Sequence, residues 1–418
     1  MTDSPRNVIL LSADALRADH LSCYGYHRDT SPVLDDFAAE SRRFTNAYSA
    51  SSHTREAVPS LITGEYPDIA VDTKYHLATE TIAERLSQAG YATGGFHSNP
   101  FVSRAYGFDV GFDEFDDDLH LGQHKLIALA QRALDKLRDR HYARADEINK
   151  RSLSWLDSLD DTEPFFLWNH YMDTHGPYEP PGEYASLYAQ NGLEGVDQQS
   201  LYQRAISDPE SITDDERQLL IDLYDAEIRY NDEYIGKFLD ALRTRDLLED
   251  SLVIVTADHG DAFGEHDYYE HPRYLHDEIT HIPLLVWTPE GKSDIINTPV
   301  STLDISTTIT SLVGDSDAFS LLDLSEDERH VFSQARGEDE NSHLRRYAVR
   351  NREGACFCER NQETGKLEFT DVSDRSLRKV LDTHIENRIQ RTENDNSDDD
   401  ENVDEEIERR LSALGYKE

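Results

Sequence analysis

Short apolar runs, separated by longer segments with helical periodicity, constrain the fold of this chain most strongly. Four runs stand out, at residues 7–11 (NVILL), 165–168 (FFLW), 252–255 (LVIV) and 282–287 (IPLLVW), with a weaker fifth at 91–96 (YATGGF). Uninterrupted apolar runs of this length are typical of strands that are buried on both faces, as in a parallel sheet covered by helices. The sequence therefore predicts an α/β sandwich with a mostly parallel central sheet flanked by helices, among them helices near residues 79–89 and 214–248.

The pattern changes after about residue 310. Three strand-like segments separated by turn residues follow, at residues 347–350, 355–359 and 366–370, and they predict a small antiparallel subdomain. Residues 392–401 contain no apolar side chain, which indicates a linker, and residues 403–414 predict a last helix. We expect three parts: a main α/β domain over residues 1–310, a small α+β subdomain over 311–390, and an acidic linker with a terminal helix over 391–418.

Polar side chains follow three of the predicted strands. Asp14 follows the first run, His170 and His175 follow the second, and Asp258 and His259 follow the third. An aspartate after a strand is often a turn former, but ligands of open α/β sheets bind beyond the carboxyl ends of the strands, so these side chains can converge. Carboxylate oxygens with an imidazole nitrogen form a donor set for one divalent cation. The combination favours a cation site at this edge of the sheet.

A candidate nucleophile lies in residues 51–64 (SSHTREAVPSLITG). Residues 55–62 can form a short helix that ends at Gly64, with Thr54 as its N-cap. The hydroxyl of Thr54 would then lie at the positive end of the helix, a location that favours an anionic ester group. Simple capping by Thr54 is the structural alternative.

The charge of the chain excludes several partners. Acidic residues number 84 and basic residues 41, for a formal net charge of -43. A surface this negative repels phosphate backbones and anionic lipid headgroups, so we expect neither a nucleic acid nor a membrane surface as partner. The acidic side chains are spread along the chain, and such a surface is an expected adaptation to the salt-rich cytoplasm of an extreme halophile. An ordinary acidic protein is the alternative.

The remaining composition favours a cytoplasmic protein without a membrane span. No window approaches 18 consecutive apolar residues, and the first residues lack the apolar core of a signal peptide. The three cysteines form no C-x-x-C pair, so the sequence supports neither a disulfide framework nor a thiolate zinc site.

Six segments carry a specific resemblance when they are taken together in this order. They are NVILLSADALRADHLSCYGYHRDTSPVLDDFA, RFTNAYSASSHTREAVPSLITGEYP, FLWNHYMDTHGPYEPP, YDAEIRYNDEYIG, SLVIVTADHGDAFGEHDYYEH and HDEITHIPLLVW. Over residues 6–290 the chain resembles the sulfatase family of the alkaline phosphatase superfamily. The resemblance implies an α/β fold with a second C-terminal subdomain, a divalent cation, and hydrolysis of sulfate esters.

The resemblance also assigns roles to residues of this chain. It implies that Asp14, Asp258 and His259 bind the cation and that Thr54, at the nucleophile position, contacts it as well. His175 and His271 correspond to residues that can protonate the departing alcohol, since imidazole titrates in the useful range. Arg55 is a candidate clamp for the ester oxygens. His170 is a further candidate for substrate binding, with packing in the core as the alternative.

Two departures from the family pattern change the expected chemistry. The sulfatase pattern begins with a Cys or Ser that becomes formylglycine, and Thr54 cannot form that aldehyde. Threonine nucleophiles are instead typical of phosphodiesterase and phosphotransferase branches of the superfamily. The paired aspartate after the first strand is reduced to Asp14, and His259 supplies a nitrogen, which favours Zn²⁺ or Mn²⁺ over Ca²⁺, with Mg²⁺ also compatible.

Three function classes therefore stay open. The first is a metal-dependent hydrolase of small-molecule or glycan sulfate esters, which also acts on phosphoesters if Thr54 is the nucleophile. The second is a phospho-group transferase or phosphodiesterase of the same superfamily. The third is a non-catalytic binding protein with the same fold. The presence of Asp14, Thr54, Asp258 and His259 together favours an enzyme.

The charge analysis makes a prediction about stability in salt. We expect the melting temperature to rise steadily with KCl up to molar concentrations, because the Debye length then falls to about 3 Å and repulsion between acidic side chains is screened. Thermal unfolding recorded over a KCl series measures this. A melting temperature that does not depend on KCl would contradict adaptation to a salt-rich cytoplasm.

Overall fold

The structure is a computed structural model that describes residues 5–119, 142–160, 162–189, 196–314, 319–324, 328–370 and 375–392. Its strands are β1 Asn7–Ala13, β2 Arg42–Phe44, β3 Ala47–Tyr48, β4 Ala92–His97, β5 Glu114–Asp116, β6 Phe165–Tyr171, β7 Ser251–Ala257, β8 Ala262–Phe263, β9 Tyr269–Glu270, β10 Leu284–Trp287, β11 Ile295–Ile296, β12 Val300–Ser301, β13 Val331–Arg336, β14 Leu344–Arg350, β15 Ala355–Asn361 and β16 Leu367–Thr370. Its α-helices are α1 Pro32–Ala39, α2 Thr54–Thr63, α3 Pro67–Ala70, α4 Ile82–Gln88, α5 Ala145–Leu156, α6 Gln198–Ser207, α7 Asp214–Thr244, α8 Asp277–Thr280, α9 Leu303–Ser311 and α10 Arg375–Thr392.

An eight-stranded sheet forms the centre of the molecule, in the order β11-β2-β10-β7-β1-β6-β4-β5. Strands β7, β1, β6, β4 and β5 run parallel to one another, whereas β10 is antiparallel to both of its neighbours. Every residue of β1, β6 and β7 is buried, as their continuous apolar runs predict. The predicted α/β class with a mostly parallel sheet is confirmed.

Helices flank this sheet and position the segments that follow its strands. The longest, α7, has 31 residues and begins with a capping box formed by Thr213 and Glu216. It packs against α1 and α5, and α5 also packs against β4 and β6. Its buried stripe includes Tyr224, whose hydroxyl reaches the loop after β1. A helix of the predicted pattern thus supports the edge of the sheet where polar residues gather.

A small antiparallel sheet, β13-β14-β15-β16, follows the main sheet. Helix α10 covers it, and the two share a separate apolar core that includes Val349, Cys356 and Leu381. The predicted antiparallel C-terminal sheet is therefore present. The predicted boundary at residue 310 falls within α9, and the three-part division stays a prediction. Residues 393–418, with most of the predicted linker and the whole predicted terminal helix, lie outside the described residues.

None of the helices in the described ranges combines the length and the apolar character needed to cross a membrane.

Buried histidines make a prediction about stability and pH. Burial lowers the pKa of His97, at the end of β4, to about 3, while an unfolded histidine titrates near 6.5. Unfolding therefore takes up a proton between these values, so the free energy of unfolding falls as the pH falls from about 6.5 toward 3. His97→Asn should make this dependence less steep in urea titrations at several pH values. His76→Asn, at a side chain that is 32% exposed, is the control, and equal slopes in all three proteins would contradict the prediction.

Candidate functional site

The carboxyl ends of β1, β6 and β7 meet at one edge of the sheet. Ala13 pairs with Tyr171 on one side and with Ala257 on the other, so the three strands end in register. The backbone N–H of Asp14 donates to the carbonyl of Tyr171 at 2.8 Å, and that of Asp258 donates to the carbonyl of Ala13 at 3.3 Å. This register places the two aspartates side by side, and both are fully buried.

Asp14, Asp258 and His259 form a group that fits a divalent cation. Each offers one ligand atom, and these atoms lie within 4.8 Å of one another. Asp14 Oδ1 and Asp258 Oδ2 are buried and accept no hydrogen bond from any described residue. Buried carboxylate oxygens are rarely left without a partner, and oxygens with an imidazole nitrogen are ligands of Zn²⁺, Mn²⁺ and Mg²⁺. The donor set therefore fits the cation expected from the sequence.

The electrostatics of the two carboxylates differ. Burial and the charge of Asp14 raise the pKa of Asp258. Burial opposes ionisation of Asp14 too, but His175, His170 and His259 outweigh it, and the pKa of Asp14 is lowered. Two like charges this close cannot both ionise readily without a positive partner. A divalent cation bound here would supply that charge.

Helix α2 brings Thr54 to this group. Its hydroxyl oxygen lies 3.2 Å from His259 Nε2 and 3.5 Å from Asp14 Oδ2. The predicted capping role is wrong: the N-cap is His53, whose ring nitrogen accepts the N–H of Arg55 at 3.2 Å, and Thr54 is the first helical residue. His53 thus caps the helix, and the hydroxyl of Thr54 lies against the candidate cation ligands.

The backbone after Asp14 is held in an unusual conformation. Ala15 has a φ of 57°, a left-handed value that costs energy for a residue with a Cβ. Its carbonyl accepts the hydroxyl of Tyr224 at 2.7 Å, and its N–H donates to Asp258 Oδ1 at 3.2 Å. Thr174 also donates to the carbonyl of Asp14 at 2.5 Å. These bonds fix the position of the Asp14 carboxylate.

Two further side chains hold Asp14 from neighbouring strands. Asn99 Nδ2 donates to Asp14 Oδ2 at 2.6 Å, and His170 Nε2 lies 3.4 Å from the same oxygen. The sequence analysis did not identify Asn99, although it follows β4, the weaker strand candidate, at the same edge of the sheet. Inspecting the end of that strand would have found it.

A chain of hydrogen bonds sets the orientation of His170. Trp168 Nε1 donates to Ser12 Oγ at 2.9 Å, so the Ser12 proton is available to His170 Nδ1 at 3.0 Å. With Nδ1 as acceptor, the Nε2 proton of His170 faces the carboxylate of Asp14. The structure thus brings His170 against a candidate cation ligand, Asp14, from within β6.

The ring of His271 lies against both His259 and His175. The ring of His271 is 4.4 Å from that of His259 and 5.1 Å from that of His175. Burial and the neighbouring His259 lower the pKa of His271. His271 Nδ1 donates to Asp261 Oδ1 at 2.7 Å, and Asp261 also accepts the hydroxyl of Tyr178 at 2.5 Å. Sequence reasoning missed Asp261, which lies two residues after His259 in the DHGD segment.

Arg55 follows Thr54 in α2 and lies against two aromatic rings. Its guanidinium stacks on the ring of Phe101 at 4.1 Å and faces that of Tyr75 at 5.1 Å. Within the described ranges it pairs with no carboxylate, and its Nε is buried without a hydrogen bond. The next residue, Glu56, is fully buried and pairs with Arg273 at 3.0 Å. A cationic side chain without a carboxylate partner therefore follows the nucleophile candidate directly.

Other buried or clustered polar side chains do not belong to this group. Asp173 Oδ2 accepts the N–H of Ala145 at 3.0 Å at the start of α5, and its other oxygen lies 3.4 Å from Arg144. His266 and His276 lie together with Glu278, in a second group described below.

The chain is similar to known proteins over most of its length. A family model described as Sulfatase matches residues 6–315. The uncharacterized sulfatase YidJ of Escherichia coli is 27% identical over 73% of this chain and 67% of its own length. Human iduronate 2-sulfatase is 26% identical over 69% of this chain, and the matched part is only 60% of that enzyme's length. Choline-sulfatase of Rhizobium meliloti is 24% identical over 76% of this chain and 69% of its own length.

Solved structures share the fold. The phosphonate monoester hydrolase of Silicibacter pomeroyi superposes with a TM-score of 0.70 at 19% identity, covering 92% of this chain and 95% of that one. A protein solved with its substrate D-glucosamine-2-N,6-O-disulfate superposes with a TM-score of 0.68 at 17% identity, covering 94% and 99%.

The hydrogen bonds of Tyr224 to the backbone around Ala15 lead to a prediction about stability. Tyr224→Phe removes the group that donates to the Ala15 carbonyl and accepts the N–H of Arg17 at 2.9 Å. Two buried backbone groups lose their partner, so we expect a loss of about 1–3 kcal/mol in the free energy of unfolding, measured by urea denaturation. Tyr188→Phe, at an exposed hydrogen bond to the Asp29 carbonyl, is the control with an expected loss below about 0.5 kcal/mol. Equal losses would contradict a bracing role.

Proposed function

Since this chain belongs to the sulfatase family, we propose that it cleaves a sulfate ester by attack of Thr54 beside a divalent cation held by Asp14, Asp258 and His259. The chain is a hydrolase of the sulfate- or phosphate-ester class. The observation that carries the proposal is the position of the Thr54 hydroxyl, 3.2 Å from His259 Nε2 within the buried cation-ligand group.

The first step is an in-line displacement. A divalent cation, when bound, supplies positive charge to the ester oxygens and favours the alkoxide form of Thr54. Thr54 Oγ1 forms a bond to sulfur or phosphorus while the bond from that atom to the alcohol oxygen breaks. Water then attacks the same sulfur or phosphorus atom and releases Thr54. Threonine lacks the second hydroxyl of an aldehyde hydrate, so water must perform this step.

The departing alcohol needs a proton, and His271 is the better placed of the two candidate acids. Asp261 accepts the Nδ1 proton of His271, which leaves Nε2 as the atom that exchanges a proton with the ester. The carboxylate stabilises the imidazolium that forms when Nε2 takes up the Thr54 proton, and Nε2 then gives this proton to the alcohol. His175, whose Nδ1 is 2.6 Å from the Gly176 carbonyl, lies beside it as the second candidate.

Positive side chains near the site favour an anionic substrate. Arg55 is half-buried and pairs with no carboxylate among the described residues, so its N–H groups can bind the non-bridging oxygens of the ester. In a protein with a net charge of -43, these groups supply the local positive charge that an anionic substrate requires. His170, which contacts Asp14, supports the cation ligand from within the sheet.

Phosphoester hydrolysis is the second candidate function, and the identity of Thr54 favours it. A threonine nucleophile forms a phosphothreonine without any modification, whereas the sulfatase pattern uses formylglycine. Transfer of the phospho group to an acceptor alcohol is the variant of this chemistry in which an alcohol replaces water. A small molecule or a glycan would carry the ester, in line with the disulfated glucosamine bound by one structural neighbour.

The ligand atoms of the candidate cation site favour particular metals, and the charge of the chain favours a particular working environment. The nitrogen of His259 favours Zn²⁺ or Mn²⁺, with Mg²⁺ and Ca²⁺ as alternatives that a metal analysis of the purified protein distinguishes. The acidic composition supports a working environment in the salt-rich cytoplasm of a halophile.

Turnover by Thr54 variants tests the proposed function. The protein purified in molar KCl should hydrolyse at least one of three probes: an aryl sulfate, an aryl phosphomonoester or an aryl phosphodiester. We expect Thr54→Ala to lower kcat by about 10³-fold or more, because it removes the attacking oxygen, and Thr54→Ser to retain measurable turnover. A chelator should abolish turnover, and added Zn²⁺ or Mn²⁺ should restore it.

The control is Thr63→Ala, which removes a buried hydroxyl from the other end of α2 and should leave kcat within a few-fold. Turnover that survives Thr54→Ala would exclude the covalent mechanism. Bound metal without turnover of any probe would favour a binding protein, and consumption of an added alcohol in proportion to product would favour a transferase.

A further inference from the structure

His266, His276 and Glu278 form a second group of metal-ligating side chains, outside the site described above. One ligand atom from each lies within 4.8 Å of the other two. His266 Nε2 is 3.3 Å from Glu278 Oε2, and the two imidazole rings lie 3.9 Å apart. All three residues are partly exposed, so an ion can reach them from solvent.

The neighbours of this group orient its donor atoms. Tyr268 OH is hydrogen-bonded to His276 Nδ1 at 2.7 Å, which leaves Nε2 of that ring as the ligand atom. Glu278 Oε2 is buried and makes no hydrogen bond to any described residue, although His266 lies beside it. An imidazole held through one nitrogen with the other available is typical of metal ligands. The arrangement is that of a site, rather than of three side chains that extend into solvent.

We propose that His266, His276 and Glu278 bind a second divalent cation. Two imidazole nitrogens and one carboxylate oxygen form a donor set suited to Zn²⁺ and to neighbouring first-row metals such as Co²⁺, and less to Ca²⁺, which prefers oxygen ligands. Three protein ligands leave a fourth position for water. This proposal does not depend on the chemistry of Thr54.

The cation would join two segments that both contact the first site. His266 and His276 flank the loop that carries His271, and Glu278 lies in α8. The N–H of Gly260, next to His259, donates to the carbonyl of Ile279 at 2.7 Å. A Cβ at position 260 would lie 2.3 Å from the Glu278 carbonyl oxygen, so only glycine allows this approach. A bound cation would therefore fasten the loop of His271 to a helix packed on the turn of His259.

The alternative is an ion pair between a protonated His266 and Glu278, without a cation. Metal stoichiometry separates the two. The full chain, stripped with a chelator, is dialysed against ZnCl₂ alone, and bound zinc is measured by elemental analysis. We expect two equivalents in the unmodified protein and one equivalent in His276→Phe, a change that keeps an aromatic ring against Tyr268 and Tyr274. His266→Asn, at a side chain that is 42% exposed, should lose the same equivalent without risk to folding.

Three controls make the result specific. Asp258→Asn should lose the other equivalent of zinc. Thr54→Ala should abolish turnover, but it should not change the amount of zinc that His276→Phe loses. His76→Asn removes a histidine that lies 3.3 Å from a carboxylate, as His266 does, but that has no third ligand atom beside it among the described residues, and this variant should keep both equivalents. With Co²⁺ in place of zinc, the visible absorption of the second equivalent should be missing in His276→Phe. One equivalent in the unmodified protein, or two in both histidine variants, would overturn the proposal.

Discussion

Two carboxylates buried side by side, Asp14 and Asp258, are the constraint on which the rest of the site depends. They follow neighbouring parallel strands that end in register, so the sheet itself forces them together. Removing two like charges from water without a counter-charge is very unfavourable. Asp14 Oδ1 and Asp258 Oδ2 accept no hydrogen bond from a described residue, so they are available to a divalent cation, and the other oxygen of Asp14 lies 3.5 Å from the hydroxyl of Thr54.

The polar groups around this pair come from several strands and helices. Together they hold the pair rigidly in place. Asn99 follows β4, His170 lies in β6, and Tyr224 reaches over from α7. Each of them holds Asp14 or the strained residue after it in place. Such fixed dipoles need not reorganise when charge develops in a reaction, which is the basis of electrostatic catalysis. The strain at Ala15 is thus compatible with a site whose geometry is set before substrate binds.

The side chain at position 54 affects whether this geometry suits cleavage of sulfate esters or of phosphoesters. A formylglycine precursor is absent from position 54, and Thr54, at the start of its helix, lies beside the candidate cation ligands. The ring of His271, oriented by its hydrogen bond to Asp261, lies against His259. The structure therefore has the fold of a sulfatase, with a threonine where the sulfatase pattern has a formylglycine precursor.

The sequence by itself determined the α/β class, the strands β1, β6 and β7, and the cation-ligand candidates that follow them. It could do so because buried strands are continuous apolar runs and because parallel strands present their carboxyl ends at one edge. It also determined that Thr54 cannot become an aldehyde, since this follows from residue identity alone.

Only the tertiary structure decided which other residues complete the site. Asn99 is 85 positions from Asp14, Tyr224 is 209 positions from Ala15, and local periodicity carries no information about such pairs. It also decided that β10 is antiparallel, because an apolar run has the same pattern in either direction, and that His53 rather than Thr54 caps α2. The reason is the same in each case: these features depend on the direction in which a strand or side chain points, and packing between distant segments sets that direction.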